Sequence, residues 1–153
     1  MVADNAIDIH PDSLAALHET VSDVLTGIVA PNTPTLMDRL PVGEGGALTQ
    51  QFAHRGIIFS FPSTTADVAR NRDLVRVAEE LRITGLWRVK PKDQTATLRQ
   101  ALTWEEIIAE TIRSAPLLRR FNPTYQGSSR APVTASQEWW TFTLTFQLTR
   151  EIR

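Results

Sequence analysis

Alternation of apolar and polar residues is strongest in two segments in the second half of the chain. Between residues 74 and 90 the apolar residues, among them Val75 and Leu81, fall on odd positions, while the even positions are mostly charged or polar. From Trp140 to Leu148 apolar residues alternate with threonine and glutamine. Because successive side chains of a strand point to opposite faces, both segments are predicted to be strands with one face in a core.

Two residues interrupt the apolar face of the first predicted strand. Glu79 stands at an apolar position, where it fits a partly buried ion pair, a device that sets the register, or the point at which the strand emerges from the core. Gly85 is predicted to be a bulge or bend in an otherwise unusually long strand.

Helical periodicity marks two other segments. From Pro11 to about Val29 the apolar residues recur every three or four positions, which predicts an amphipathic helix with Pro11 in its first turn. The same spacing returns after Pro91-Lys92-Asp93 and continues to about Ser114. Within it, Thr103–Glu106 has the form of a capping box, so the second helix is predicted either to start there or to be kinked there.

Shorter patterns complete the predicted fold. Ile57–Phe61 reads as a short strand, and the segment from Phe121 to about Arg130 is a possible partner for the closing strand. The predicted order is helix, strand pair, helix, strand pair. This is an α+β fold with an antiparallel or mixed sheet on which two main helices pack. At 153 residues, 42% of them hydrophobic, the chain is long enough for one sizeable core, so residues 1–153 are predicted to form a single domain.

Residues 31–56 have no sustained periodicity and contain three prolines and a glycine-rich run. They are predicted to form a long loop. Loops of this length in compact domains are uncommon and are often used for binding, but a surface loop without a role fits the pattern equally well. Within the loop, Pro41, Gly43 and Glu44 are the candidate partner contacts.

Composition narrows the classes of function. The net charge of -1 provides no broad basic field for sequence-independent binding to nucleic acid or to an anionic membrane, although a local patch stays open. We expect no direct sequence-specific binding to nucleic acid. The absence of cysteine excludes disulfides and thiolate chemistry. Neither a signal peptide nor a run of about 18 apolar residues occurs, which predicts a cytoplasmic protein without a membrane span.

The search for catalytic chemistry yields no constellation. The histidines His10, His18 and His54 lack the spacing of a metal-binding pair, and the adjacent glutamate pairs cannot face each other across a cleft. We therefore expect no enzyme activity, no cofactor and no metal.

Aromatic and basic residues suggest partner contacts instead. Trp139 and Trp140 point to opposite faces of one predicted strand, so one of them should be half-exposed or covered by another chain. Trp139 is the candidate. The basic residues that flank the second helix are also predicted to face a partner. They are Lys90, Lys92, Arg119 and Arg120.

Three segments together resemble the tail terminator proteins of long-tailed bacteriophages. They are the strand Leu81–Asp93, the helix that contains Thr103–Ile108, and the closing strand Glu138–Leu148. The resemblance covers about residues 74–150, with some support from 11–29. It implies a small α+β subunit that forms a six-fold ring, caps the tail tube at its final length and presents a surface to the head or neck. The implied partners are further copies of the chain, the tail tube protein and connector or neck proteins. The implied location is the host cytoplasm during assembly and then the virion.

Two other classes of function remain open from the residues. The chain could be a head-completion or head–tail adaptor protein that is monomeric until it docks. It could also be a small non-viral α+β binding protein, or an enzyme that uses Glu79 and a histidine.

Overall fold

The computed structural model describes residues 10–37, 54–66, 75–133 and 138–152. Two α-helices, two 3₁₀ helices (Pro91–Asp93 and Pro116–Phe121) and six strands make up the regular structure of this part of the chain. The α-helices are α1 (Leu14–Thr26) and α2 (Gln94–Ser114). The strands are β1 (Thr35–Leu36), β2 (Gly56–Ser60), β3 (Thr64–Ala66), β4 (Val75–Arg88), β5 (Thr124–Pro132) and β6 (Trp139–Ile152).

All six strands join one mixed sheet in the order β1-β2-β4-β6-β5, with β3 added along β4. Only β1 and β2 run parallel, and the other pairs are antiparallel. The protein is therefore α+β, as predicted, but four strands rather than two lie between the helices. Two of these are β1 and β3, which are too short to leave a periodic pattern in the sequence.

The predicted loop 31–56 is interrupted by β1 and ends where β2 begins at Gly56. The backbone N–H of Thr35 donates to the carbonyl of Arg55 at 3.0 Å, so the two ends of the segment lie side by side. Residues 38–53, including the candidate contacts Pro41, Gly43 and Glu44, lie outside the described residues.

The two long predicted strands are confirmed as β4 and β6. They pair in continuous register from Val75 opposite Ile152 to Arg88 opposite Trp139. The apolar side of this pair forms the centre of the core, against which both helices pack. Burial of the apolar face explains why the pattern in these two segments is so regular, because a slip of one residue would turn every core side chain to the other face.

Gly85 is not a bulge, because its pairing with Ile57 on β2 and with Phe142 on β6 is unbroken. The phenyl ring of Phe142 covers it instead. A Cβ atom at residue 85 would lie 2.3 Å from Cζ of that ring. Glycine is therefore required by a close approach across the strand pair and not by a bend.

The first helix is shorter than its periodicity suggests. Ser13 is the N-cap, and its hydroxyl accepts a hydrogen bond from the backbone N–H of Ala16 at 3.1 Å. Pro11 therefore precedes the helix and does not occupy its first turn. The cap satisfies one of the free N–H groups of that turn, which fixes the start of α1.

The second helix begins nine residues before the predicted capping box and continues through it without interruption. It follows the 3₁₀ turn Pro91–Asp93. The hydroxyl of Thr103 donates to the carbonyl of Arg99 at 2.9 Å, as a threonine inside a helix does. The capping-box prediction is therefore wrong. Near the true start, the hydroxyl of Thr97 accepts from the backbone N–H of Lys90 at 3.2 Å and joins the segment after β4 to the first turns of α2.

Glu79 forms a buried ion pair, which decides between the three interpretations of this residue. Its side chain is fully buried, and Oε1 accepts from Nε of Arg150 at 2.8 Å. Oε2 accepts from the hydroxyl of Thr64 at 2.6 Å. The carboxylate therefore holds together three strands, because Thr64 belongs to β3 and Arg150 to β6.

Candidate partner-binding surfaces

The polar face of the sheet is partly open to solvent. Thr141, Thr143 and Thr145 of β6 lie on it and are half-buried by their neighbours along the sheet. The hydroxyls of Thr84 and Thr143 lie 3.3 Å apart across the strand pair. Threonine tolerates both water and protein contact, so this face can accept a neighbouring subunit without exposing a large apolar area.

The two adjacent tryptophans divide between the faces of β6. Trp140 is partly buried and packs against the core, whereas Trp139 follows the opposite parity and is half-buried next to Arg88 on β4. Both tryptophans are half-buried, and the contact of Trp139 with a partner stays a prediction. This residue lies at the same end of the sheet as Lys90 and Lys92.

The four basic residues predicted to face a partner form two separate groups. Lys90 and Lys92 precede α2, and Arg119 and Arg120 follow it. A helix of 21 residues spans about 30 Å. The two pairs therefore lie at opposite ends of α2 and cannot form one patch.

Arg120 is occupied within its own chain. Its guanidinium lies 3.4 Å from a carboxylate oxygen of Asp12, also donates to the carbonyl of Pro11, and stacks over the ring of Phe121 at 4.7 Å. Arg119 is exposed and has no ion pair in the described part of the chain. At this end of α2, Arg119 is thus the better candidate for a partner contact.

Lys90 and Lys92 belong to a larger cationic group whose other members come from distant parts of the sequence. Strand β2 pairs with β4 so that Arg55 and Arg88 come to the same end of the sheet, and the first turns of α2 bring Arg99. Arg55 and Arg99 line a cleft of about 480 Å³ between residues 31–32, residues 54–55 and one side of α2, and Arg88, Lys90 and Lys92 lie beside it. We call this feature the basic cleft. Its five cations are Arg55, Arg88, Lys90, Lys92 and Arg99.

The cations of the basic cleft have no carboxylate at salt-bridge distance among the described residues. This distinguishes them from most other described arginines, which are paired at N···O distances from 2.7 to 3.9 Å. The paired ones are Arg76, Arg82, Arg113, Arg120, Arg130 and Arg150. Among the described residues, positive charge without a carboxylate partner is thus concentrated at one end of the sheet, although the net charge of the full sequence is -1.

Backbone hydrogen bonds fix the walls of the basic cleft. The indole N–H of Trp104 donates to the carbonyl of Asn32 at 3.0 Å and holds the segment after α1 against α2. Arg55 adopts the left-handed region with φ of 64°. Its N–H donates to the carbonyl of Leu86 at 2.9 Å, and its carbonyl accepts from Thr35. A non-glycine residue in this region costs about 1–2 kcal/mol, and such strain persists only where the surroundings impose it.

His54 stands at the centre of the cationic group. Its ring centroid lies 4.4 Å from that of Trp87, and Nδ1 accepts from the backbone N–H of Arg88 at 3.2 Å. Partial burial lowers the pKa of His54, and the charges of Arg55, Arg88 and Lys90 lower it further. With Nδ1 occupied as an acceptor, the neutral ring carries its proton on Nε2 and offers a further hydrogen-bond donor to the cleft.

An apolar groove between the ends of the two helices is a second exposed surface. It has a volume of about 580 Å³ and runs from α1 to the residues that follow α2. Val29 and Leu117 line it and are 80% and 63% exposed. Neither residue was selected from the sequence, because Val29 stands at the end of the first predicted helix and Leu117 follows the second, where the periodicity no longer assigns a face.

Sequence comparison adds no further information on function. No protein-family model matches the chain, and no curated protein matches it. Among the residues that the structure describes, no group of three or more histidine and acidic side chains is placed to hold a metal ion. No helix in the same residues has the length and apolar character needed to cross a membrane.

Proposed function

We propose that the chain is a structural assembly protein of a long-tailed bacteriophage, a tail terminator subunit. In this role, six copies form a ring that caps the tail tube, stops its polymerisation and provides the interface for the head or neck. The protein acts in the host cytoplasm during assembly and then remains in the virion. The proposal starts from the resemblance carried by β4, α2 and β6.

The half-open polar face of the β4–β6 pair is the structural observation that best supports this proposal. A subunit of a closed ring needs two different surfaces, because a head-to-tail contact joins unlike patches on neighbouring copies. The polar face is one such surface. The other is the outer edge of β5, which has no strand beyond it in the described sheet and can add a strand from a neighbour.

Strand β5 also carries features that limit indiscriminate pairing at this edge. The register shifts between Tyr125 and Gly127, and Pro132, which has no backbone N–H, ends the strand. A bulge and a terminal proline are common protections of edge strands. They favour a specific partner over open-ended association.

Electron microscopy of the purified protein mixed with isolated tail tubes tests the proposal. We expect six-fold rings at tube ends, and a solution mass that shows oligomers either alone or after tubes are added. A matched pair of variants helps to locate the contact. Thr143→Arg, on the polar face, should prevent ring formation, whereas Glu106→Arg, on the exposed side of α2, should not. A protein that stays monomeric and leaves tube ends bare would refute the proposal.

Depletion of the protein during phage assembly distinguishes termination from the adaptor function. Overlong tails are expected for a terminator, because nothing then stops tube growth. Tails of normal length that remain unattached to heads would assign the chain to head completion or joining instead.

A further inference from the structure

Among the described residues, no carboxylate balances the positive charge at the basic cleft, as is expected of a site that binds an anion. Arg55, Arg88 and Lys90 all act on His54, yet the described residues supply no carboxylate at salt-bridge distance to any of the five cations. Like charges that share one end of a domain repel each other, which destabilises the compact state slightly. An external anion would relieve this repulsion.

The geometry of the cleft is fixed before any ligand arrives. Arg55 is held in a strained left-handed conformation by hydrogen bonds on both sides of its Cα. The sheet therefore fixes the position of its Cα and the direction in which its side chain leaves the backbone. The hydrogen bond from Trp104 to Asn32 fixes the opposite wall. A site whose donors are positioned in advance loses less entropy when it binds.

The buried aromatic floor and the arginines of the cleft favour protein carboxylates over nucleic acid as the ligand. Binding of single-stranded nucleic acid relies on exposed aromatic rings on which bases stack. Trp87 and Trp104, which form the floor, are only 7% and 1% exposed, and the ring of His54 is directed toward Trp87. Arginine suits bidentate pairing with carboxylates, and about 480 Å³ accommodates a few side chains.

We propose that the basic cleft binds a carboxylate-bearing segment of a partner protein. Arg55 and Arg99 pair with the carboxylates inside the cleft, and Nε2–H of His54 donates one hydrogen bond. Arg88, Lys90 and Lys92, which lie outside the cleft lining, attract the segment through their charge. This inference rests on the proposed function in one respect. In a tail terminator, the segment belongs to the tube or neck protein that the ring contacts.

Binding of a labelled hexaglutamate peptide, measured by fluorescence anisotropy at pH 7.5, tests the inference. We expect saturable binding that weakens when NaCl is raised, because exposed charges are screened by salt. The variant Lys90→Glu/Arg99→Glu should bind the peptide at least tenfold more weakly. The control Arg76→Glu/Arg113→Glu changes the net charge by the same amount at the far ends of β4 and α2, and should bind as the wild type does. Circular dichroism establishes that both variants are folded.

Three outcomes would overturn the inference: no peptide binding, equal loss in the control variant, or tighter binding of a thymidine oligonucleotide with the same number of charges. The outcome is separable from that of the proposed function. A protein that caps tubes but ignores the peptide refutes only the cleft assignment. A protein that binds the peptide through the cleft but never caps tubes refutes only the terminator assignment.

Discussion

Substitution of Gly85 by alanine tests the packing on which the two long strands depend. A Cβ atom at this position would lie 2.3, 2.5 and 2.9 Å from Cζ, Cε1 and Cε2 of Phe142. Ordinary contacts of this kind are 3.4–4 Å long, so the ring must move by more than about 1 Å. Phe142 is only 4% exposed, and its ring lies 5.3 Å from that of Trp104. The displacement is therefore transmitted to α2.

The expected loss of stability is moderate. Overpacking of a well-packed core costs about 1–3 kcal/mol, whereas removal of a glycine from a strand returns about 0.5–1 kcal/mol. Gly85→Ala should therefore lower the free energy of unfolding by about 1–2 kcal/mol. For a chain of this length, that corresponds to a decrease in Tm of roughly 2–8 °C.

Urea unfolding followed by tryptophan fluorescence measures this change, and a double-mutant cycle isolates its cause. Phe142→Leu removes the three ring atoms that obstruct the new Cβ. In that background Gly85→Ala should be neutral or slightly stabilising, which gives a coupling energy of about 1–2 kcal/mol. An equal cost of Gly85→Ala in both backgrounds would show that the ring is not the reason for the glycine.

Three further predictions concern charged residues. Glu79→Gln leaves Arg150, which is 11% exposed, without its counter-charge and should lower the free energy of unfolding by about 3 kcal/mol; a loss below 1 kcal/mol in urea unfolding would contradict the burial of this pair. Arg55→Gly should weaken hexaglutamate binding while it keeps or raises thermal stability, because glycine relieves the left-handed strain, whereas Arg55→Ala should weaken binding without that gain. The lowered pKa of His54 means that the unfolded chain binds a proton first as the pH falls below about 6.5. The free energy of unfolding should therefore decrease from pH 7 to pH 5, and His54→Asn should reduce this decrease; an identical pH profile in the variant would exclude the contribution.

Local periodicity determined the long elements of this protein. Strands β4 and β6 and the amphipathic helix α1 were predicted because each buries one face along its whole length, so the pattern repeats with the period of the element. The same parity predicted that Trp139 and Trp140 point to opposite faces of β6. The sequence also limited Glu79 to three roles, one of which the structure confirms.

Tertiary structure decided what depends on residues far apart in the chain. The sequence predicts a bulge or bend at Gly85, but the structure shows that the glycine makes room for the ring of Phe142. The sequence predicts a helix start or kink at Thr103–Glu106, but α2 begins at Gln94. The basic residues around α2 separate into two groups because a helix lies between them. The basic cleft arises only when β2 pairs with β4. Pairing across a sheet brings Arg55 to Arg88 without any local pattern, since the contact is set by burial of the strands and not by the residues that it brings together.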